Sequence, residues 1–294
     1  MKAAIERLRA WFRERPIPIT EEPEQGMLYH YTSVEGLLGI LDNRVIWVTK
    51  SDFLNDYSEL IYLRQVYGSL LQRLKAARDE MYECRPFYRM LAGIMDTLDD
   101  PAWLQEQDLF VLSLTHRADS YTLWSNFNGH HGYNIQFDYP ALLAAWRGAG
   151  VNPLCTGRII YEEGRQTGIL HSELQAVFRL CGRSAEAAEA VREEVLGRFK
   201  LYSIFFKDAC FTEESEFRIV FTAGKDRVRF RLRNGAIIPY IEVPAGNREL
   251  SAIFDITIGP KLNIDIAEKG MAYYLTTKGY TAAKVKRSRI PLRY

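Results

Sequence analysis

Apolar residues recur at spacings of three and four along Met1 to Arg15. Ile5, Leu8, Trp11 and Phe12 fall on one face, which predicts an amphipathic helix. Arg15-Pro16-Ile17-Pro18 breaks it, and Thr20 to Gly26 reads as an acidic connector. Leu28 to Ser33 then reads as a short strand. Thr32 or Ser33 caps a helix that opens at Val34, with Glu35 and Gly36 in its first turn and Leu37, Leu38, Ile40 and Leu41 along it. The β-branched run Val45 to Thr49 predicts a second strand. Helical spacing resumes from Ser58 to about Tyr82, and again from about Phe87 to Leu98. Leu109 to Leu114 is an unbroken apolar run, which fits a buried strand. A short helix over Ser120 to Asn128 and a turn over Gly129 to Gly132 lead into a strand at Tyr133 to Phe137. Pro140 to Arg147 reads as a helix with proline in its first turn. A strand at Arg158 to Tyr161 and one long helix from Glu186 to Phe206 follow. The last third predicts strands at Phe217 to Thr222, Val228 to Leu232, Ile237 to Val243 and Phe254 to Ile258. A helix from Ile264 to Lys278 stops at Gly279, and Ala282 to Lys286 forms a final strand.

This order of elements predicts an α+β fold with a mainly antiparallel sheet core and helical insertions. Residues 1–26 read as an N-terminal helix and linker. Residues 27–294 read as a single α+β domain with a helical insertion at about 58–100.

Composition narrows the function classes. The chain of 294 residues is 47% hydrophobic and 26% charged, an ordinary globular balance. Its net charge of +1 gives no global attraction to nucleic acid or to an acidic membrane. No apolar run reaches the length of a membrane span, and the charged N-terminus lacks the pattern of a secretory leader, so a cytoplasmic protein is expected. Cys84, Cys155, Cys181 and Cys210 are scattered with no C-x-x-C pair, which predicts buried free thiols and no zinc site.

The residues with chemistry fall into separate blocks. Tyr29, His30, Tyr31, Thr32 and Ser33 crowd a strand-to-helix junction, where side chains meet ligands on a rigid frame. Glu214 and Glu216, two apart on an expected strand, point to one face and suit charge stabilisation paired with general-base work. A solvated strand edge paired with Arg218 is the competing reading of the two glutamates, and His30 reads equally as a structural histidine. Asn55 is a candidate cleft contact. Asp56 fits an Asx turn capping the helix near Ser58, and Glu59 the first turn of that helix. His130 and His131 fit a turn better than a metal site, and Trp47 and Trp124 fit the core. Lys207 suits either a pyrophosphate or a stem extended along a helix end. Lys284 to Arg293 is a local basic stretch, read as a solvated last strand or a weak nucleic-acid contact.

Taken in order, these blocks resemble the bacterial family filed as domain of unknown function 2971, over nearly the whole chain. The resemblance is carried by Tyr29-His30-Tyr31-Thr32-Ser33, Gly39-Ile40-Leu41, Trp47, Leu54-Asn55-Asp56 with Glu59, and Ser113 with Trp124. His131-Gly132, Phe137, Lys207, Glu214-Ser215-Glu216 with Phe217-Arg218, and Ile258-Gly259 complete it. The family label names no reaction. Its members' settings in bacteria and phages imply a defence or toxin effector, with an antitoxin or defence partner. A second, looser resemblance is to the ADP-ribosyltransferase fold, with His30 in the first block, Ser113 or Tyr121 in the middle block and Glu216 as the catalytic acid. The histidine is followed by tyrosine where that superfamily often has glycine, and the middle block departs from its usual pattern.

What the second resemblance implies is an NAD-dependent enzyme transferring ADP-ribose to a macromolecular acceptor. Glu216 and Glu214 would be the catalytic pair. His30, Tyr31, Thr32, Ser33, Asn55, Ser113, Tyr121 and Lys207 would contact NAD. No metal is called for. Two other readings stand beside it: a non-catalytic ligand-sensing or protein-interaction module, and a metal-dependent nuclease built on Asp56, Glu59, Glu214 and Glu216.

Overall fold

The computed structural model describes residues 2–15, 17, 19, 23, 26–54, 58–100, 102–105, 108–127, 129–233, 235–246, 252–261 and 264–292. In chain order the elements begin with α1 (Lys2–Glu14), β1 (Met27–Thr32), α2 (Val34–Asn43), β2 (Val45–Lys50), α3 (Ser58–Ala76), α4 (Glu80–Glu83), α5 (Arg85–Leu98) and α6 (Ala102–Gln105). There follow β3 (Leu109–Thr115), α7 (Tyr121–Asn126), β4 (Tyr133–Asp138), α8 (Tyr139–Gly148), β5 (Cys155–Arg158), α9 (Glu163–Cys181), α10 (Ala185–Ala190) and α11 (Arg192–Phe205). Last come β6 (Glu216–Thr222), β7 (Arg229–Arg233), β8 (Ala236–Pro244), β9 (Ile253–Ile258), α12 (Ile264–Thr277) and β10 (Lys284–Arg287).

Two compact units share this chain. One comprises 1–20, 54–107 and 159–212, and the other 21–53, 108–158 and 213–294. The first is helical. The region expected as an insertion at about 58–100 is one of its three segments, and α1 belongs to it as well. Its core sets Tyr67 edge-on to Phe199 at 5.5 Å, with the Tyr67 hydroxyl donating to the Leu91 carbonyl at 2.9 Å. Glu173 is fully buried on α9 and ion-pairs with both Arg198 and Arg15. The long helix expected over Glu186 to Phe206 is two helices, because Val191 leaves helical geometry at φ −111°, ψ 5°. Helix α9 was not anticipated. Its inward positions include Gln166, Thr167 and Glu173, so the apolar periodicity that announces a helix is diluted.

The second unit holds the ten described strands, in the order β10-β9-β4-β1-β3-β2-β8-β7, with β6 lying between β3 and β5. Every ladder is antiparallel except β9 with β10. The architecture is therefore mixed α and β on a mainly antiparallel sheet. One face carries the main apolar core, with Leu28, Ile46, Leu112, Leu114, Ile135, Phe217 and Ile219 packed against residues of α2, α8 and α12. The strand expected at Arg158 to Tyr161 lies earlier, at Cys155–Arg158, and pairs with β6.

Strand β3 organises the sheet. Its whole length pairs with β6, from Leu109↔Thr222 to Thr115↔Glu216. A strand has two edges, so β1 and β2 must share the other. β1 takes the end at Tyr29↔Thr115 and β2 takes Thr49↔Val111 and Lys50↔Phe110. Between those contacts, beside Ser113, the sheet forks.

Candidate functional site

The fork lies where the singled-out blocks meet. Tyr29, Thr115 and Glu216 form one row across β1, β3 and β6, and Ser113 pairs with Arg218 in the next same-facing row along. Tyr29 and Glu216, more than 180 positions apart in the chain, thus lie on the two strands that flank β3.

Glu216 opens β6. Its carboxylate accepts from Arg218 twice, Nε to Oε1 at 2.8 Å and Nη2 to Oε2 at 3.0 Å, and both side chains are buried. The fork of a guanidinium matches both oxygens of a carboxylate, which fixes the rotamer of each partner. The expectation that Glu214 and Glu216 share a strand face is corrected here. Glu214 ends a 3-10 turn (Ala209–Glu214), and Ser215 turns the chain at φ 45°, so β6 starts only at Glu216. Nor is Glu216 on a solvated edge, since β6 is paired on both sides. Thr115 pins this turn. Its hydroxyl donates to the Glu214 carbonyl at 2.6 Å and accepts from the Arg117 amide at 3.0 Å. Nothing in the sequence marked Thr115 except its place at the end of an apolar run.

His30 reaches the same strand from β1. Its Nδ1 lies 3.4 Å from the Ser113 carbonyl. A carbonyl only accepts, so Nδ1 carries the proton and the neutral ring presents the lone pair at Nε2. Burial holds the imidazole below its ordinary value of 6.5; the Ser113 bond opposes this, and the Arg231 guanidinium reinforces it. Alternation places His30 with Leu28 on the face of the main core, and Tyr29 with Thr115 and Glu216 on the other. His30 and Glu216 therefore do not point into one common pocket across intact sheet. Ser113, in register with Arg218 on β6 and with its carbonyl at His30 Nδ1, links the two sets.

The remaining candidates divide. Tyr31 is a buried anchor: its hydroxyl donates to the Arg117 carbonyl and accepts from the Ser120 amide, each at 3.0 Å, and its ring meets Trp124 edge-on at 4.7 Å. Burial raises its pKa well above the ordinary 10.0. Ser33 caps α2 by accepting from the Gly36 amide at 3.1 Å. Thr32 stands over Gly36, where an added Cβ would come within 2.2 Å of its Oγ1. Tyr121 is 56% exposed, with its ring 4.9 Å from that of His130. Lys207 lies in the helical unit, buried, with its ammonium 4.5 Å from the Phe211 ring. Asn55 and Asp56 lie outside the described residues. Trp124 is core as expected, but Trp47 is 41% exposed. Of the four free thiols, Cys155 and Cys181 are buried, Cys84 is half-buried and Cys210 exposed.

Among the described residues no group of three or more His, Cys, Asp or Glu side chains is placed to hold a metal ion. None of their helices is long and apolar enough to cross a membrane. No family model, curated protein or solved structure matches the chain.

Proposed function

We propose that the sheet unit is an NAD-dependent ADP-ribosyltransferase-like enzyme acting on a macromolecular acceptor, in a defence or toxin setting. The observation that carries this reading is the adjacency of β1, β3 and β6, which bear His30, Ser113 and Glu216. In this reading NAD is the substrate and supplies the scissile bond between nicotinamide and ribose. Glu216, held by Arg218, stabilises positive charge developing on the ribose. Arg218 is a positioning residue. Nε2 of His30 accepts from a ribose hydroxyl at the fork, where β1 leaves β3 and no sheet separates the two faces.

The test is nicotinamide release from NAD by the purified protein, beside Glu216→Gln and His30→Gln. Release abolished by Glu216→Gln in a folded variant supports the reading. Wild-type release in that variant removes the mechanism.

A second reading is favoured by the Glu216–Arg218 pair itself. A carboxylate with both oxygens on one buried guanidinium is well placed to hold a strand and poorly placed to meet a substrate. Here the unit senses an NAD-class ligand without turning it over. Thermal stabilisation by NAD or ADP-ribose with no nicotinamide released distinguishes it.

A further inference from the structure

Beyond the three-strand platform, β7 and β8 build a cluster whose only part in the reading above is the field of Arg231 on His30. Arg231, half-buried on β7, lays its guanidinium against two rings, 5.6 Å from the centroid of Trp47 and 5.7 Å from that of Tyr240. The rings lie 4.7 Å apart. Nη2 donates to the Thr49 hydroxyl at 2.9 Å, whereas Nε is buried with no acceptor. Among the described residues no carboxylate lies within ion-pair distance of this guanidinium.

A cation withdrawn from water normally has a counter-charge, because leaving a charged donor unmatched costs more than a neutral one. Arg229, two residues earlier, has its partner in Glu242 at 3.2 Å. Arg231 has only a hydroxyl and two π faces. Nε is shut away from solvent and Nη2 is oriented by Thr49, so the donors left for a ligand are those of the terminal Nη1/Nη2 end, which can fork onto two oxygens of a tetrahedral or planar oxyanion. Arg233 adds a second positive charge close by; burial and that charge together lower the Arg231 pKa. Two cations beside an exposed indole favour a multiply charged anion carried on a flat group.

We propose that Arg231, Thr49 and the Trp47–Tyr240 ring pair form a binding site for a phosphate-bearing small molecule, with Arg231 on the phosphate and the exposed Trp47 ring beside the rest of the ligand. The site stands apart from the role given to Glu216, and its probe contains no nicotinamide.

The experiment is calorimetric titration of the full chain with inorganic pyrophosphate, AMP and succinate. Pyrophosphate and AMP are expected to bind, and succinate at least tenfold more weakly. Arg231→Gln is expected to weaken pyrophosphate at least tenfold. Thr49→Val, which keeps the β-branched shape and removes the hydroxyl that orients the guanidinium, is expected to weaken it severalfold. Arg183→Gln, at an exposed arginine of the helical unit, is expected to leave it unchanged. Undetectable pyrophosphate binding at millimolar concentration overturns the proposal, as does equal binding by Arg231→Gln. Succinate binding as tight as pyrophosphate overturns the phosphate assignment. Should Arg231→Gln fail to fold, an unchanged affinity in Thr49→Val decides against the site.

Discussion

Glu216 and Arg218, two residues apart on β6, lock together side by side through two hydrogen bonds of 2.8 and 3.0 Å. Removing one member of a buried pair costs far more than replacing both, because the survivor keeps its desolvation penalty. Glu216→Ala is therefore expected to destabilise the protein by about 3–5 kcal/mol. The double replacement Glu216→Leu with Arg218→Met is expected to lie closer to wild type. Urea denaturation of the three proteins checks this, and a double variant no more stable than Glu216→Ala would contradict it.

Stability should carry a signature of His30. Its folded pKa lies below 6.5, so the folded state holds fewer protons at this site than the unfolded chain. The contribution is full above the unfolded value and falls as pH drops below about 6.5 toward the folded pKa. Urea midpoints from pH 7.5 to 5 should decline more steeply for wild type than for His30→Gln. Parallel declines would mean that the imidazole is not held neutral by its surroundings.

Thr32 makes Gly36 necessary. Alanine in place of a helical glycine ordinarily stabilises by about 0.5–1 kcal/mol. At Gly36 the new Cβ would meet Thr32 Oγ1 at 2.2 Å. Gly36→Ala is expected to destabilise by about 1–3 kcal/mol, whereas on a Thr32→Ala background the same change should stabilise. Thermal melts of the four proteins close the cycle.

In the helical unit, Glu173 joins Arg15 just beyond α1 to Arg198 on α11. Arg198 also donates to the Arg15 carbonyl at 3.1 Å. Glu173→Ala is expected to cost about 3–5 kcal/mol, and to speed hydrogen exchange in α1 before the rest of the unit. Uniform exchange across the unit would argue against a clamp on α1.

Much of the sheet was legible because its strands bury one apolar face or run β-branched, as at Val45 to Thr49 and Leu109 to Leu114. Long-range and polar features were not. Helix α9 turns Gln166 inward, where its Nε2 donates to the carbonyls of Ile160 and Lys207, and no periodicity rule credits a buried amide. The break before β6 depends on Ser215 at φ 45°, a conformation the residue type does not advertise. The hexapeptide at Leu28 to Ser33 stood out by its chemistry, but which of its side chains turn inward depends on the registers Tyr29↔Thr115 and His30↔Ile135. Trp47 looked like core because tryptophan usually is; the arginine that stacks on it comes from 184 residues away.

The helical unit is assembled from three stretches of chain that alternate with three stretches of the sheet unit. On a ribosome this has a definite order of events. The helical unit lacks the full set α9 to α11 until the chain has passed Phe205, and by then β1 to β5 are already made without β6. Strand β3, emerging apolar at Leu109 to Leu114, must wait about a hundred residues for its full-length partner. That interval leaves one whole edge of β3 unpaired and aggregation-prone, so slow or interrupted synthesis before Glu216 should yield insoluble fragments rather than a folded half.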